Sequence, residues 1–184
     1  MKRAAALALA VLLAGCGVPL EDEARALPSQ SANVPPSATP AVPETGPITE
    51  TIYLVKGGLL VAVPRNVPAE PAVDKLMADL LAGPTEAEKA AGIGSALLGS
   101  KVVAAVQVHN GIATVELAAN LEGTGRTDDV LAYGQIVCTL TTRPDVSWTT
   151  FTRDGQPIEV PRGDGSLTGD PLNAASYSRL IAAG

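Results

Sequence analysis

The 184-residue chain is poor in the side chains that carry most protein chemistry, with one His, two Cys, one Trp and one Phe, and aromatics at 3%. That scarcity excludes a zinc centre built from several His and Cys ligands, a disulfide framework, and an aromatic platform for stacking bases. Charged residues are sparse too, at 17%, and their balance is acidic, net −6. A phosphate-binding surface needs clustered Lys and Arg, so the composition argues against nucleic acid as a partner. What the chain has in quantity is apolar residues, 46% of the total. Its length suits one domain of ordinary size with a segment to spare.

The first residues read as an address. Lys2 and Arg3 precede an uninterrupted apolar run, residues 4–14, that ends in Gly15-Cys16. The run is too short to cross a hydrocarbon core of about 30 Å as a helix, but it has the length and flanks of a secretory signal. Leu13-Ala14-Gly15-Cys16 resembles the lipobox of bacterial lipoproteins, in which the Cys thiol receives a diacylglycerol, the preceding peptide is removed, and the new amino terminus takes a further acyl chain such as palmitate. Residues 1–15 are therefore expected to be a signal peptide and Cys16 the lipidation site. The protein would be anchored at the outer face of the cytoplasmic membrane, or in the outer membrane of a Gram-negative cell, without a transmembrane helix. Lipidation of Cys16 leaves Cys138 without a disulfide partner. Loss of residues 1–15 leaves 11 basic and 19 acidic side chains, near −8. Anionic headgroups would repel such a body, so the lipid alone would hold it.

Residues 17–47 contain seven of the fifteen prolines, with Ser, Thr, Ala and Glu and no apolar periodicity. Together with Cys16 they read as a disordered, partly polyproline tether (residues 16–47), reaching about 30 Å as a coil and about 95 Å if fully extended.

Residues 48–184 read as a single domain. A hairpin is expected from residues 52–55 and 59–63, closed by Gly57-Gly58 and stopped by Pro64. Val73, Leu76, Met77, Leu80 and Leu81 recur at helical spacing, and Gly83-Pro84 ends that helix. Thr85 and Glu88 form a capping box for a short second piece. Val102, Ala104, Val106 and Val108 alternate up to Asn110-Gly111, a favoured type I′ turn, which pairs His109 with Ile112, Val108 with Ala113, and Val106 with Val115. A helix over residues 128–142 is expected to bury a stripe of Val130, Tyr133, Gly134, Val137 and Leu140 or Thr141, with Pro144 as its stop. The third hairpin turns at Asp154-Gly155. It sets Phe151 against Ile158 and Thr149 against Val160, and turns Trp148, Thr150 and Thr152 to the opposite side. Asn173 caps a last short helix containing Tyr177, Leu180 and Ile181. The class is α+β: a mostly antiparallel sheet from three hairpins, in β-β-α-β-β-α-β-β order, packed against two main helices.

Each candidate for chemistry has a plainer structural explanation. His109 sits at a hairpin tip with no Gly-x-Ser-x-Gly elbow anywhere in the chain, and reads as a solvated strand end. Cys138 lies mid-helix without basic neighbours and reads as a small buried hydrophobe. The Gly-rich run 163–170 carries Asp164, Ser166, Thr168 and Asp170, but its spacing does not match an EF-hand calcium loop. Asp128 and Asp129 point about 100° apart on a helix, which suits the positive end of the dipole better than a facing glycosidase pair. Gly123-x-Gly125 lacks the context of a dinucleotide fingerprint and reads as a loop. Trp148 alone has no structural duty set by pattern. An outward aromatic is a candidate anchor for a partner or a sugar, and packing beneath residues 161–184 is the competing reading.

Three motifs carry a resemblance: Leu80-Leu81-Ala82-Gly83-Pro84-Thr85-Glu86-Ala87-Glu88, then Gly111-Ile112-Ala113-Thr114-Val115-Glu116-Leu117, then the Phe151 strand running into Asp154-Gly155. Over residues 51–160 the chain resembles the GerMN domain of sporulation and spore germination proteins. Thr149, Thr152 and Arg153 are more polar than that family's usual residues in this strand. The resemblance implies a bacterial envelope lipoprotein whose domain is an assembly or interaction module, with no catalytic residues and no cofactor. The expected partners are other envelope proteins, and the membrane through the lipid. Location and Trp148 motivate the alternative, a peptidoglycan- or glycan-binding module or weak cell-wall hydrolase.

Overall fold

The computed structural model describes residues 48–118 and 126–183. The leader, the lipobox Cys16, the tether and Gly123-x-Gly125 lie outside the described residues.

Two glycines start the architecture. Gly57 and Gly58, at φ 59° and 79°, make a two-residue turn that L side chains resist. It pairs β1 (Ile48–Lys56) with β2 (Leu59–Val67) antiparallel from Lys56↔Leu59 out to Ile48↔Val67. Contrary to expectation, Pro64 does not stop the strand and stands opposite Thr51. The reason is parity. The amides of Tyr53, Val55 and Leu60 donate outside the hairpin, to Thr139 Oγ1, Gly94 O and Leu180 O. By the same alternation the missing amide of Pro64 is on the outward side of β2, where no ladder bond is lost.

Helix α1 (Val73–Ala82) buries Leu76, Met77 and Leu80 and ends at Gly83, φ 77°. The capping box forms as expected at the start of α2 (Glu86–Ala90): Thr85 Oγ1 accepts from the Glu88 amide and Glu88 Oε2 from the Thr85 amide. Arg65 reaches across from β2, donating to both Glu88 carboxylate oxygens at 2.7 and 3.1 Å and to Gly83 O at 2.9 Å. Burial pulls the Glu88 carboxyl upward, but the bonds from Arg65 and the Thr85 backbone outweigh it and hold it below the usual range.

Strands β3 (Val103–His109) and β4 (Ile112–Leu117) pair in the register read from Asn110-Gly111, down to Val106↔Val115. The alternation does not persist to Ala104: a bulge between Val103 and Ala105 makes Ala104 the extra residue, and it is exposed.

Helix α3 (Arg126–Leu140) departs most from its expected form. Instead of one apolar stripe, every residue from Val130 through Leu140 is buried. The β1–β2 hairpin, α1, the strand Trp148–Arg153 and the C-terminal segment pack around it, so no side of the helix is left for solvent. Gly134 permits part of this, since a Cβ there would meet Leu60 Cδ1 at 2.8 Å and Tyr177 Cδ1 at 3.0 Å. The helix also makes β5 (Trp148–Arg153) parallel to β4, because it crosses over between them. With Gln156–Pro157 as its last strand, β6, the sheet β3-β4-β5-β6 is thus mostly antiparallel with one parallel pair.

The third hairpin begins as expected, with Arg153↔Gln156 and Thr152↔Pro157 and Ile158 N donating to Phe151 O at 3.1 Å. Strand β6 (Gln156–Pro157) then stops. Thr149 exchanges both backbone bonds with Leu172 at 2.8 Å rather than pairing with Val160. Val160 instead belongs to β7 (Val160–Pro161), paired with β8 (Leu167–Thr168). Intervening prolines at 157 and 161 remove the amides that a continuous strand would need. The last helix is a single 3₁₀ turn, Ala174–Tyr177, capped by Asn173. Tyr177 is fully buried, and its hydroxyl donates to Pro161 O at 2.7 Å.

One buried amide ties these parts together. Gln135 Nε2 donates to Tyr53 O at 3.0 Å and Ser95 Oγ at 3.2 Å, while Oε1 accepts from the Ala96 amide at 2.7 Å. Glu50 is the opposite case. It stands on the core side of β1, cross-strand from Arg65, is 5% exposed, and its Oε1 has no partner among the described residues. Burial, and secondarily Asp79, push its carboxyl above the usual range against the pull of Lys75 and Arg65.

Gln135→Leu is expected to cost about 2 kcal/mol, since it orphans the partly buried Tyr53 carbonyl and Ala96 amide, measurable by urea unfolding. A loss below about 1 kcal/mol would show that the node is not needed. Glu50 gives the opposite sign. A raised folded pKa means that its contribution is fully present below the unfolded pKa and lost as pH rises through the folded one. Glu50→Gln should therefore raise the melting temperature at pH 7 by a few degrees, with the gain shrinking toward zero at pH 3. An equal gain at both pH values would refute this account of Glu50.

Candidate functional site

The register of β3, β4 and β5 sets out one face residue by residue. Strand β4 lies between the other two, with Ile112 opposite Trp148 and His109, Thr114 opposite Thr150 and Gln107, and Glu116 opposite Thr152 and Ala105. These nine side chains share the side of the sheet away from Ala113, Val115, Phe151 and α3, because successive residues alternate. All nine are exposed or half-exposed, so no described element covers this side. The reverse side packs on α3, where Phe151 meets Tyr133 edge to face at 5.1 Å.

Trp148 is 43% exposed. It points away from Phe151 as its register requires, and residues 161–183 do not bury it. Next to it the face turns polar. Thr114 and Thr150 share a hydroxyl contact of 3.4 Å. Glu116 accepts a short hydrogen bond from Thr152 Oγ1, and Gly155 N donates to its other oxygen at 3.3 Å. The Thr152 hydroxyl chiefly, with backbone donors of the Asp154-Gly155 turn, holds the Glu116 carboxyl below the usual range.

The remaining candidates take structural places. His109 is an exposed strand end beside the turn. Cys138 is buried, and desolvation pushes its thiol up to about 12, which removes thiolate reactivity. Asp128 is exposed and Asp129 half-buried in the first turn of α3. In the Gly-rich loop, Asp164 accepts from the Ser166 amide and hydroxyl, and Asp170 pairs with Arg162 at 3.1 Å. The loop thereby spends its carboxylates on its own turn, and no metal-holding group of His, Cys, Asp and Glu occurs among the described residues.

A cleft of about 280 Å³ lies beside Thr49, Glu50, Glu70, Thr142 and Arg143. Arg143 is already committed there, donating to both Asp145 oxygens at 2.8 and 2.9 Å and to Pro71 O at 2.6 Å. The face residues Gln107, Thr114 and Thr150 escaped sequence reasoning as a group, since their side-by-side arrangement depends on the parallel β4–β5 pair, which leaves no local signal. Arg65 escaped too, because its partners Gly83 and Glu88 are remote in sequence.

No curated protein matches the chain. Among solved structures, the first GerMN domain of the sporulation protein GerM from Bacillus subtilis aligns at TM-score 0.52 and 17% identity, covering 70% of this chain and 98% of that one. The tandem GerMN domains of the same protein align at TM-score 0.53 and 18% identity, covering 68% of this chain and 46% of that one. The chain thus spans less than half of the tandem structure, and likeness at such identities shows the fold. The family described as sporulation and spore germination matches residues 45–159. Since that match takes in well over half of the chain, the protein belongs to the sporulation and spore germination family and carries a GerMN domain.

Proposed function

We propose that this is an exported, lipid-anchored, non-enzymatic protein of the cell envelope, held through Cys16, whose GerMN domain assembles with other envelope proteins. Family membership and the leader pattern support the setting. The observation that carries the interaction role is an open sheet edge. Strand β3 ends the four-stranded sheet. With His109↔Ile112 flanking a two-residue turn, alternation directs the backbone groups of Val106 and Val108 away from β4. No described residue bonds to them. An incoming strand can pair there, and the bulge at Ala104 limits its length.

Two measurements test the reading. Cys16→Ser should move the protein out of washed membranes, and its retention there would overturn the anchor. A photo-crosslinking residue at Gln107 should give adducts with envelope proteins in native membranes. Val108→Pro should abolish them, because it removes an outward donor and costs the hairpin no ladder bond. Absence of adducts above background would count against assembly through this edge.

A further inference from the structure

The open side of the sheet is chemically distinct from its edge. We infer that the face formed by Trp148, Thr150, Thr114, Gln107 and Glu116 is a binding surface for a neutral glycan chain. The rows headed by Trp148, Thr150 and Thr152 are two residues apart along each strand, about 6.7 Å, so the face runs about 13 Å from Trp148 to Thr152. That is the length of a short oligosaccharide.

The makeup of the rows decides the class of ligand. A protein contact is organised around a desolvated apolar centre in which several large anchors cluster. Here one aromatic, beside Ile112, is followed by two threonine hydroxyls and the Gln107 amide, then by a carboxylate and another hydroxyl. Such a sequence of one stacking surface and many paired donors and acceptors fits a ligand whose rings have apolar faces and hydroxylated rims. Charge points the same way. Glu116 is the only Asp, Glu, Lys or Arg among the nine face residues, and Thr152 and Gly155 already satisfy it. A polyanion would meet no Lys or Arg here, and a polycation would find one preoccupied acid. A neutral sugar chain stacked on Trp148 would set its next hydroxyls over Thr150, Thr114 and Gln107.

The chain's single Trp makes it its own reporter. The full-length protein in detergent is titrated with a soluble N-acetylglucosamine oligosaccharide while Trp emission is followed. A saturable change is expected. Gln107→Ala and Thr150→Ala should each weaken it about fivefold, the worth of one hydrogen bond, with melting temperatures unchanged. Trp148→Ala should abolish retention on insoluble chitin, and Trp148→Phe should keep part of it. The inference fails if emission does not saturate and chitin does not retain the protein. It fails equally if the two polar substitutions leave affinity untouched, or if a photo-crosslinker at Thr150 captures a protein while the oligosaccharide gives no signal. These readouts use neither Cys16 nor the outward backbone groups of Val106 and Val108, so their failure would leave the envelope-assembly reading standing.

Discussion

The domain depends on a helix that has no outer side. Once α3 is enclosed from Val130 to Leu140, its polar groups must find partners inside the protein, and Gln135 meets that demand for its neighbours as well as for itself. Its amide closes the outward edge of β1 at Tyr53 and anchors the loop at Ser95 and Ala96. Thr139 does the same at the Tyr53 amide, at 2.9 Å. A half-satisfied network at this depth would be worse than an apolar core. The same enclosure explains why Gly134 occupies mid-helix despite its poor helix propensity, as Leu60 and Tyr177 stand where a side chain would be.

The site follows from what α3 covers and what it leaves. As the connection between β4 and β5 it makes those strands parallel neighbours and buries Ala113, Val115, Thr149 and Phe151 on one side. Alternation then delivers Trp148, Thr150 and Thr152 to the other. The segment 80–88, by contrast, is architecture. Gly83 ends α1, and Thr85 with Glu88 starts α2. Arg65 clamps both to β2. That segment joins the helices to the hairpin and leaves the ligand unspecified.

Much of the fold was legible because local chemistry sets it. The glycine pair at 57–58, the Asn110-Gly111 and Asp154-Gly155 turns, and the capping box at Thr85 all act within four residues, and all appear where their residues demand. The outward direction of Trp148 was legible for the same reason, since strand alternation counts from a turn. Legibility ended where partners are remote. Pro64 reads as a stop until its missing amide is known to point away from β1. Val160 reads as the mate of Thr149 until Leu172 takes that place. The stripe expected on α3 could not reveal that polar Gln135 and Thr139 are buried too, because periodicity records which side chains are apolar and not how many neighbours surround them.

By itself the sequence determined the α+β class, the hairpin turns, the capping box and the side of its strand on which Trp148 stands. These are consequences of dihedral preference, capping and period, which act over a few bonds. Only the tertiary structure decided that α3 is central, that β4 and β5 run parallel, and that Trp148, Thr150, Thr114 and Gln107 share one surface. Those outcomes depend on which distant groups satisfy each buried backbone amide and carbonyl, and that condition is defined only when the whole domain closes around the helix.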